Sequence, residues 1–144
     1  MTYNPSFQES QGPILEYAVQ GQLTFLATSE VVKGNCVYLS GNDQVSTTTA
    51  ESPAAIGVVT SVKPGTVTGG LIVTVMMFKY KAKVLMTASG TINPGDQVVS
   101  ASSGAVITMA PASTATSTDI NNARSIVGLA FYGATNGNLA GILV

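Results

Sequence analysis

The chain has 144 residues, with 6 Lys or Arg, 7 Asp or Glu and no His, for a formal net charge of -1. Only 9% of its residues are charged, against roughly 25% in an average soluble domain. Without His the most frequent general base and metal ligand is missing, and six cations cannot form the basic stripe that phosphate binding needs. No catalytic residues, metal site or cofactor site are therefore expected, and nucleic acid is not an expected partner. With 45% hydrophobic residues the chain does not have the composition of a disordered tail. Its length suits one compact unit with a real core.

Residues 1–13 read as an extended arm. Asn4-Pro5 and Gly12-Pro13 break regular structure, and Tyr3 and Phe7 are the apolar anchors that could order the segment against a partner. No cationic and apolar leader occupies the first eleven residues, so no secretion signal is expected and synthesis inside a cell is. From Ile14 onward the pattern changes to short β-branched and apolar runs punctuated by Gly, Pro, Asn, Asp and Ser. Strands are predicted over 23–26, 35–39, 56–61, 70–78, 81–87, 97–100, 105–109, 125–132 and 139–144. Such spacing specifies an all-β sandwich or barrel. The polar stretches 42–52 and 112–122 read as loops. One helical turn is predicted near Ser117 to Arg124, with Thr118 or Asp119 as its cap.

Leu71 to Phe78 is the longest apolar run. It is far shorter than the ~20 residues of a membrane helix, so no membrane partner is expected. Exposed, it would be an aggregation hazard, so it must lie centrally in a sheet or between subunits. Met76 and Met77 cannot both face one core under period-two alternation, so at least one of them is expected to meet a second layer, which favours an oligomer. The apolar tail Gly141 to Val144 should likewise be tied into a sheet. Alternation places Lys79, Lys81 and Lys83 on one face of a strand, opposite Tyr80, Ala82 and Val84. Lysines so placed discourage edge pairing or meet an acidic partner surface.

Cys36 is the only cysteine. With no His to activate it, it reads as a packed strand residue in Asn35-Cys36-Val37-Tyr38. The seven acidic residues are scattered singly, and Asp96, in a Gly-Asp turn, is expected to bind local backbone amides. Gly133 to Asn138 and Thr68-Gly69-Gly70 lack a phosphate-loop ending and read as turns, Asn136-Gly137 especially.

An internal repeat is the most informative feature. Val31-Val32-Lys33-Gly34-Asn35-Cys36-Val37 aligns with Ile92-Asn93-Pro94-Gly95-Asp96-Gln97-Val98 at an offset of 61, which also pairs Ala27 with Ala88 and Val45 with Val106. Ile56-Gly57-Val58-Val59 aligns with Val127-Gly128-Leu129-Ala130 at an offset of 71, and the low-complexity stretch 111–123 holds the ten extra residues. Gly34 and Gly95 sit where the chain must turn with positive φ. Gly57 and Gly128 lie inside apolar strands, which signals a bulge or a close backbone approach. The predicted fold is an all-β small barrel or sandwich built from two pseudo-repeats of short strands. It comprises the arm at 1–13 and a β body at 14–144, whose halves are about 14–78 and 79–144.

The ordered double set Lys33-Gly34-Asn35-Cys36-Val37 with Ile56-Gly57-Val58-Val59, then Asn93-Pro94-Gly95-Asp96-Gln97-Val98 with Ile126-Val127-Gly128-Leu129-Ala130, resembles the small head decoration, or capsid cement, proteins of tailed bacteriophages. The resemblance covers roughly residues 15 to 144. It implies a non-enzymatic, often trimeric β protein that binds the major capsid protein on the capsid exterior and stiffens the shell, after synthesis in the host cytoplasm. Neither the arm nor the 111–123 stretch matches a motif of that family. Tyr3, Asn4, Pro5, Phe7, Lys79, Lys81 and Lys83 are the candidate capsid contacts, and Gly34, Gly57, Gly95 and Gly128 the structural turn glycines. The competing class is a carbohydrate- or cell-surface-binding β module of a phage fibre or secreted protein. The absence of Trp argues against it, because sugar sites stack on aromatic rings.

Overall fold

The computed structural model describes residues 21–27, 29–49, 54–65, 70–79, 82–111 and 117–144. The arm at 1–13, Lys81, and the turn segment 66–69 lie outside them. Among the described residues ten strands and one short α-helix follow in order: β1 (Gln22–Ala27), β2 (Cys36–Gly41), β3 (Gln44–Thr47), β4 (Ala55–Pro64), β5 (Leu71–Met77), β6 (Lys83–Thr87), β7 (Gln97–Ser100), β8 (Val106–Thr108), α1 (Ser117–Arg124), β9 (Ile126–Tyr132) and β10 (Leu139–Leu143), with a 3-10 turn over Ser102–Gly104 between β7 and β8. The fold is all-β, as the runs of β-branched residues require, and α1 falls on the segment where the only helical signal lay.

The first five strands close into a barrel in the order β1-β3-β2-β4-β5, and the last five form a sheet in the order β6-β10-β9-β7-β8. These are one topology used twice. In the barrel β1 and β3 pair in parallel through Leu26↔Gln44 and Ala27↔Val45. In the second half a single parallel bridge, Ala88↔Val106, joins the ends of the corresponding strands. The offset of 61 that relates Ala27 to Ala88 and Val45 to Val106 therefore relates the contacts that draw each sheet round on itself. Irregularities repeat too. β2 and β4 slip between Val37 and Tyr38, and β7 and β9 slip between Val98 and Val99.

Interior side chains match too, at an offset of 61 on β1, β2 and β3 and of 67 on β5. Phe25, Val37, Val45 and Val75 belong to one buried cluster, and their counterparts Met86, Val98, Val106 and Ile142 to the other. Each is almost wholly withdrawn from water, and a fully buried side chain of this kind stabilises the fold by about 1.5–3 kcal/mol. The run at 71–78 is β5, flanked by β4 and β1, with Val73 and Val75 fully buried. The tail is β10, between β6 and β9.

One expectation is met within the chain and one is corrected. Met76 and Met77 do face different cores, but both cores belong to this chain: Met76 packs on the second cluster of strands and Met77 on the first. The polar stretch 42–52 is not all loop, because Gln44–Thr47 is β3. Its pattern, with Val45 alone buried among polar residues, is too short for periodicity to reveal. The repeat offset from the predicted strand at 105–109 carried the only signal.

The halves dock through the turn before β2. Cys36 and Val58 of the first half are buried within the cluster built by the second. The Asn35 side-chain amide donates to the Ser103 carbonyl at 3.3 Å, and the Gly104 N–H donates to the Thr48 carbonyl at 3.2 Å. Thr48, itself buried, donates from Oγ1 to the Ala101 carbonyl at 3.4 Å.

Candidate interaction surface

The turn glycines behave as their positions require. Gly34 and Gly95 take φ of +90° and +92°, a region closed to most side chains. Each N–H bonds to the corresponding carbonyl in the neighbouring strand, Val59 for Gly34 and Ala130 for Gly95, both at 2.8 Å. A Cβ on Gly57 would overlap the Met76 carbonyl, and one on Gly128 the Leu143 carbonyl. These two glycines permit a close backbone approach.

Asp96 binds the local backbone, as expected of a Gly-Asp turn. The Asn93 N–H donates to its Oδ2 at 2.9 Å, and Thr108 Oγ1 donates to the same oxygen at 2.8 Å. Those two bonds, the backbone one foremost, hold its carboxyl below the usual value. Asn35 makes the matching bond in the first half, accepting from the Val32 N–H at 2.9 Å. Burial pushes the Cys36 thiol up to about 12, against smaller opposing effects of Thr48 and the Val37 backbone. A thiol so placed is protonated and unreactive at neutral pH. Among the described residues no group of three or more His, Cys, Asp or Glu is arranged to hold a metal ion, and no helix is long and apolar enough to cross a membrane.

The three lysines do not share a strand. Lys79 is exposed in a turn with φ of +75°, Lys81 lies outside the described residues, and β6 begins only at Lys83. A tight turn after β5 interrupts the alternation. Tyr3, Asn4, Pro5 and Phe7 also lie outside the described residues.

Lys83 instead joins a surface that residue patterns did not single out. On β6, β10 and β9, Leu85 pairs with Gly141 and Gly141 with Tyr132, while Lys83 pairs with Leu143 and Leu143 with Leu129. Paired residues project from the same face of a sheet, so these rows stand side by side. Leu85, Phe131, Tyr132 and Leu139 are all about half exposed. The register skips Phe131 between Ala130 and Tyr132, and this bulge lets two consecutive aromatic residues reach solvent. Lys83 Nζ lies 4.2 Å from the Tyr132 ring centroid and 5.7 Å from that of Phe131, and it donates to the Tyr132 hydroxyl at 3.2 Å. The Tyr132 ring covers Gly141, where a Cβ would come within 2.6 Å of its Cδ2.

The same positions in the first half carry different chemistry. Thr24 pairs with Thr74 and Thr74 with Ser61, again skipping Thr60. The repeat relation therefore sets Leu85, Phe131 and Tyr132 against Thr24, Thr60 and Ser61. Two copies of one topology thus present a hydroxyl face and an apolar–aromatic face. Contiguous exposed apolar surface of this kind marks protein contact sites, and aromatic side chains are enriched there. The signal in the sequence was the offset of 71, which sets Thr60-Ser61 against Phe131-Tyr132.

Neither any family model nor any curated protein matches the chain. Among solved structures it is similar to the crystal structure of the head fiber gp8.5 N base in bacteriophage phi29. The TM-score is 0.56 at 18% identity, covering 85% of this chain and 92% of that one. At that identity the likeness is one of fold, and it extends over both halves of the β body.

Proposed function

We propose that this chain is a structural component of a tailed-phage virion that sits on the capsid exterior as a decoration subunit and serves no enzymatic role. The observation that carries this reading is the similarity in fold, across nearly the whole of both chains, to a protein described as the base of a phage head fiber. The repeated Gly-(Asn/Asp) turn and Ile-Gly-Val-type strands, which resemble those of capsid cement proteins, point the same way. The apolar–aromatic face of β6, β9 and β10 is the surface for the protein it assembles with, the major capsid protein. Association as a trimer would multiply that contact, since several weak sites acting together give tight attachment.

The test is co-sedimentation of purified protein with undecorated capsids, alongside light scattering of the free protein. Saturable capsid binding that falls at least about tenfold in a Phe131→Ser, Tyr132→Ser variant is the expected result, since interface aromatics frequently contribute 1.4 kcal/mol or more. Deletion of residues 1–13 should weaken attachment while the β body stays folded. A monomer with no capsid affinity, or one that instead binds glycans, would overturn the proposal.

A further inference from the structure

The docking of one half on the other can be compared, residue by residue, with the two surfaces left over at the ends of the stack. At the internal joint the Gly34-Asn35 turn, buried on both residues, rests on β6 and on the turn between β7 and β8. A Cβ at Gly34 would lie 3.2 Å from the Leu85 carbonyl oxygen, and one at Gly104 would lie 2.8 Å from Asn35 Cβ. Asn35 enters only because position 104 has no side chain.

Among the described residues both halves of this joint exist a second time without a partner. The equivalent turn in the second half is Gly95-Asp96, with the same φ and the same hydrogen bond to the backbone three residues before. It is open: nothing lies within 4 Å of a Cβ built on Gly95. The equivalent seat in the first half is a shallow depression lined by Thr24, Phe25, Leu26, Asp43 and Ile72. At the offset of 61, Thr24, Phe25 and Asp43 correspond to Leu85, Met86 and Gly104, the residues that receive the Gly34-Asn35 turn.

A second copy of this chain could therefore continue the stack head to tail, with its Gly95-Asp96 turn in that depression. What differs is charge and bulk at two positions. Where the joint has Asn35 against Gly104, the continuation would have Asp96 against Asp43. Asp43 has the same left-handed backbone as Gly104, with φ of +53° against +72°, so its side chain stands where Asn35 enters at the joint. Asp96 has no amide to donate to the Asn42 carbonyl, the counterpart of Ser103, and two carboxylates would be brought together.

We propose that the Thr24–Asp43 depression and the Gly95-Asp96 turn are matching docking surfaces for a second copy of this chain, and that Asp43 and Asp96 keep them apart. The stack is thereby held at two repeats. A heterologous contact with no such stop generates open filaments or rings, and like charges set opposite each other are a recognised means of excluding a wrong partner. This inference stands on the repeat and its joint, independently of any role on a capsid.

The test replaces each stop by the residue found at the joint. Asp43→Gly suits a positive φ, and Asp96→Asn keeps the turn that Asn35 makes. Sedimentation velocity is run on the full chain across a concentration series, with circular dichroism to confirm that each variant is folded. The doubly substituted protein should associate beyond the wild-type mass, with an affinity at least about a hundredfold above that of wild type. Singly substituted proteins should remain at the wild-type mass alone. An equimolar mixture of the two should gain a species of twice that mass, since one contributes the open seat and the other the amide turn. A folded double variant that keeps the wild-type mass at every concentration overturns the proposal. So does association by either single variant alone that matches the double variant.

Discussion

Replacing Gly128 by Ala probes the approach of β9 to β10. The added Cβ falls on the Leu143 carbonyl oxygen and carbon and on Ile142 Cγ2. The two Leu143 atoms, which include the nearest, are backbone of a strand held on both sides, by β6 and by β9, so moving the Ile142 side chain alone cannot relieve the overlap. Overpacking a core costs about 1–3 kcal/mol and occasionally more, and a rigid backbone neighbour places this case at about 3 kcal/mol. For a chain of this length each kcal/mol moves the melting temperature by about 3–4 °C, so thermal unfolding followed by circular dichroism should show a fall of about 10 °C. Gly57→Ala, which meets the Met76 carbonyl in the first half, should fall by a similar amount. Gly137→Ala is the control: its φ is +81° but nothing lies within 4 Å, so only backbone strain of about 1–2 kcal/mol applies. A Gly128→Ala protein melting within about 2 °C of wild type would refute the close-approach argument.

The Cys36 thiol should resist an aromatic disulfide reagent in the folded protein and react at once in denaturant. Its folded value of about 12 exceeds the unfolded one of about 9, so its contribution to stability is complete below pH 9 and is lost as pH rises, by about 1.4 kcal/mol per pH unit up to 12. Denaturant titrations at pH 8, 9.5 and 10.5 would show the decline, and Cys36→Ser should flatten it. The Asp96 carboxylate, held below the ordinary aspartate value by Asn93 and Thr108, should titrate by carbon-13 chemical shift with a midpoint below that of an aspartate in an unfolded peptide. Its support of the turn is present above the unfolded value and disappears as pH falls through the folded one. Leu139→Ser on the exposed face should change stability by no more than about 0.5 kcal/mol while lowering binding of a hydrophobic dye. A large loss of stability would show that the side chain is part of the core.

Local pattern reached far into this fold because its strands are short, apolar and separated by turn residues at regular intervals. Nine predicted segments correspond to nine of the ten strands among the described residues, and the repeat offsets of 61 and 71 recur in the pairing registers of every strand but β5 and β10, which are related by 67. The strand that was missed, β3, has one buried residue in four, and its place is set by the partner it lies against. The lysine row is broken for the opposite reason: alternation over five residues predicts one strand, whereas the chain turns at Lys79 and β6 begins at Lys83, with Lys81 outside the described residues. The apolar–aromatic face escaped notice because its residues come from three strands, each unremarkable alone, and because a bulge breaks the period that would have announced it.

Composition already settled what this chain does not resemble. Nine per cent charge and no His leave the most frequent general base and metal ligand missing, and a doubled Gly-turn and Ile-Gly-Val pattern settled that one β unit would be used twice. Those are local properties, decided by side-chain chemistry and backbone sterics within a few residues. What the tertiary structure alone decided is how two like units came to differ. Burial of Met76, Cys36 and Val58 at the joint, the exposure of Phe131 and Tyr132 around Lys83, and the facing of Asn35 with Gly104 all depend on contacts between residues tens of positions apart. A repeat in sequence states that two parts are alike, and only their packing shows which surfaces are spent on each other and which remain for a partner.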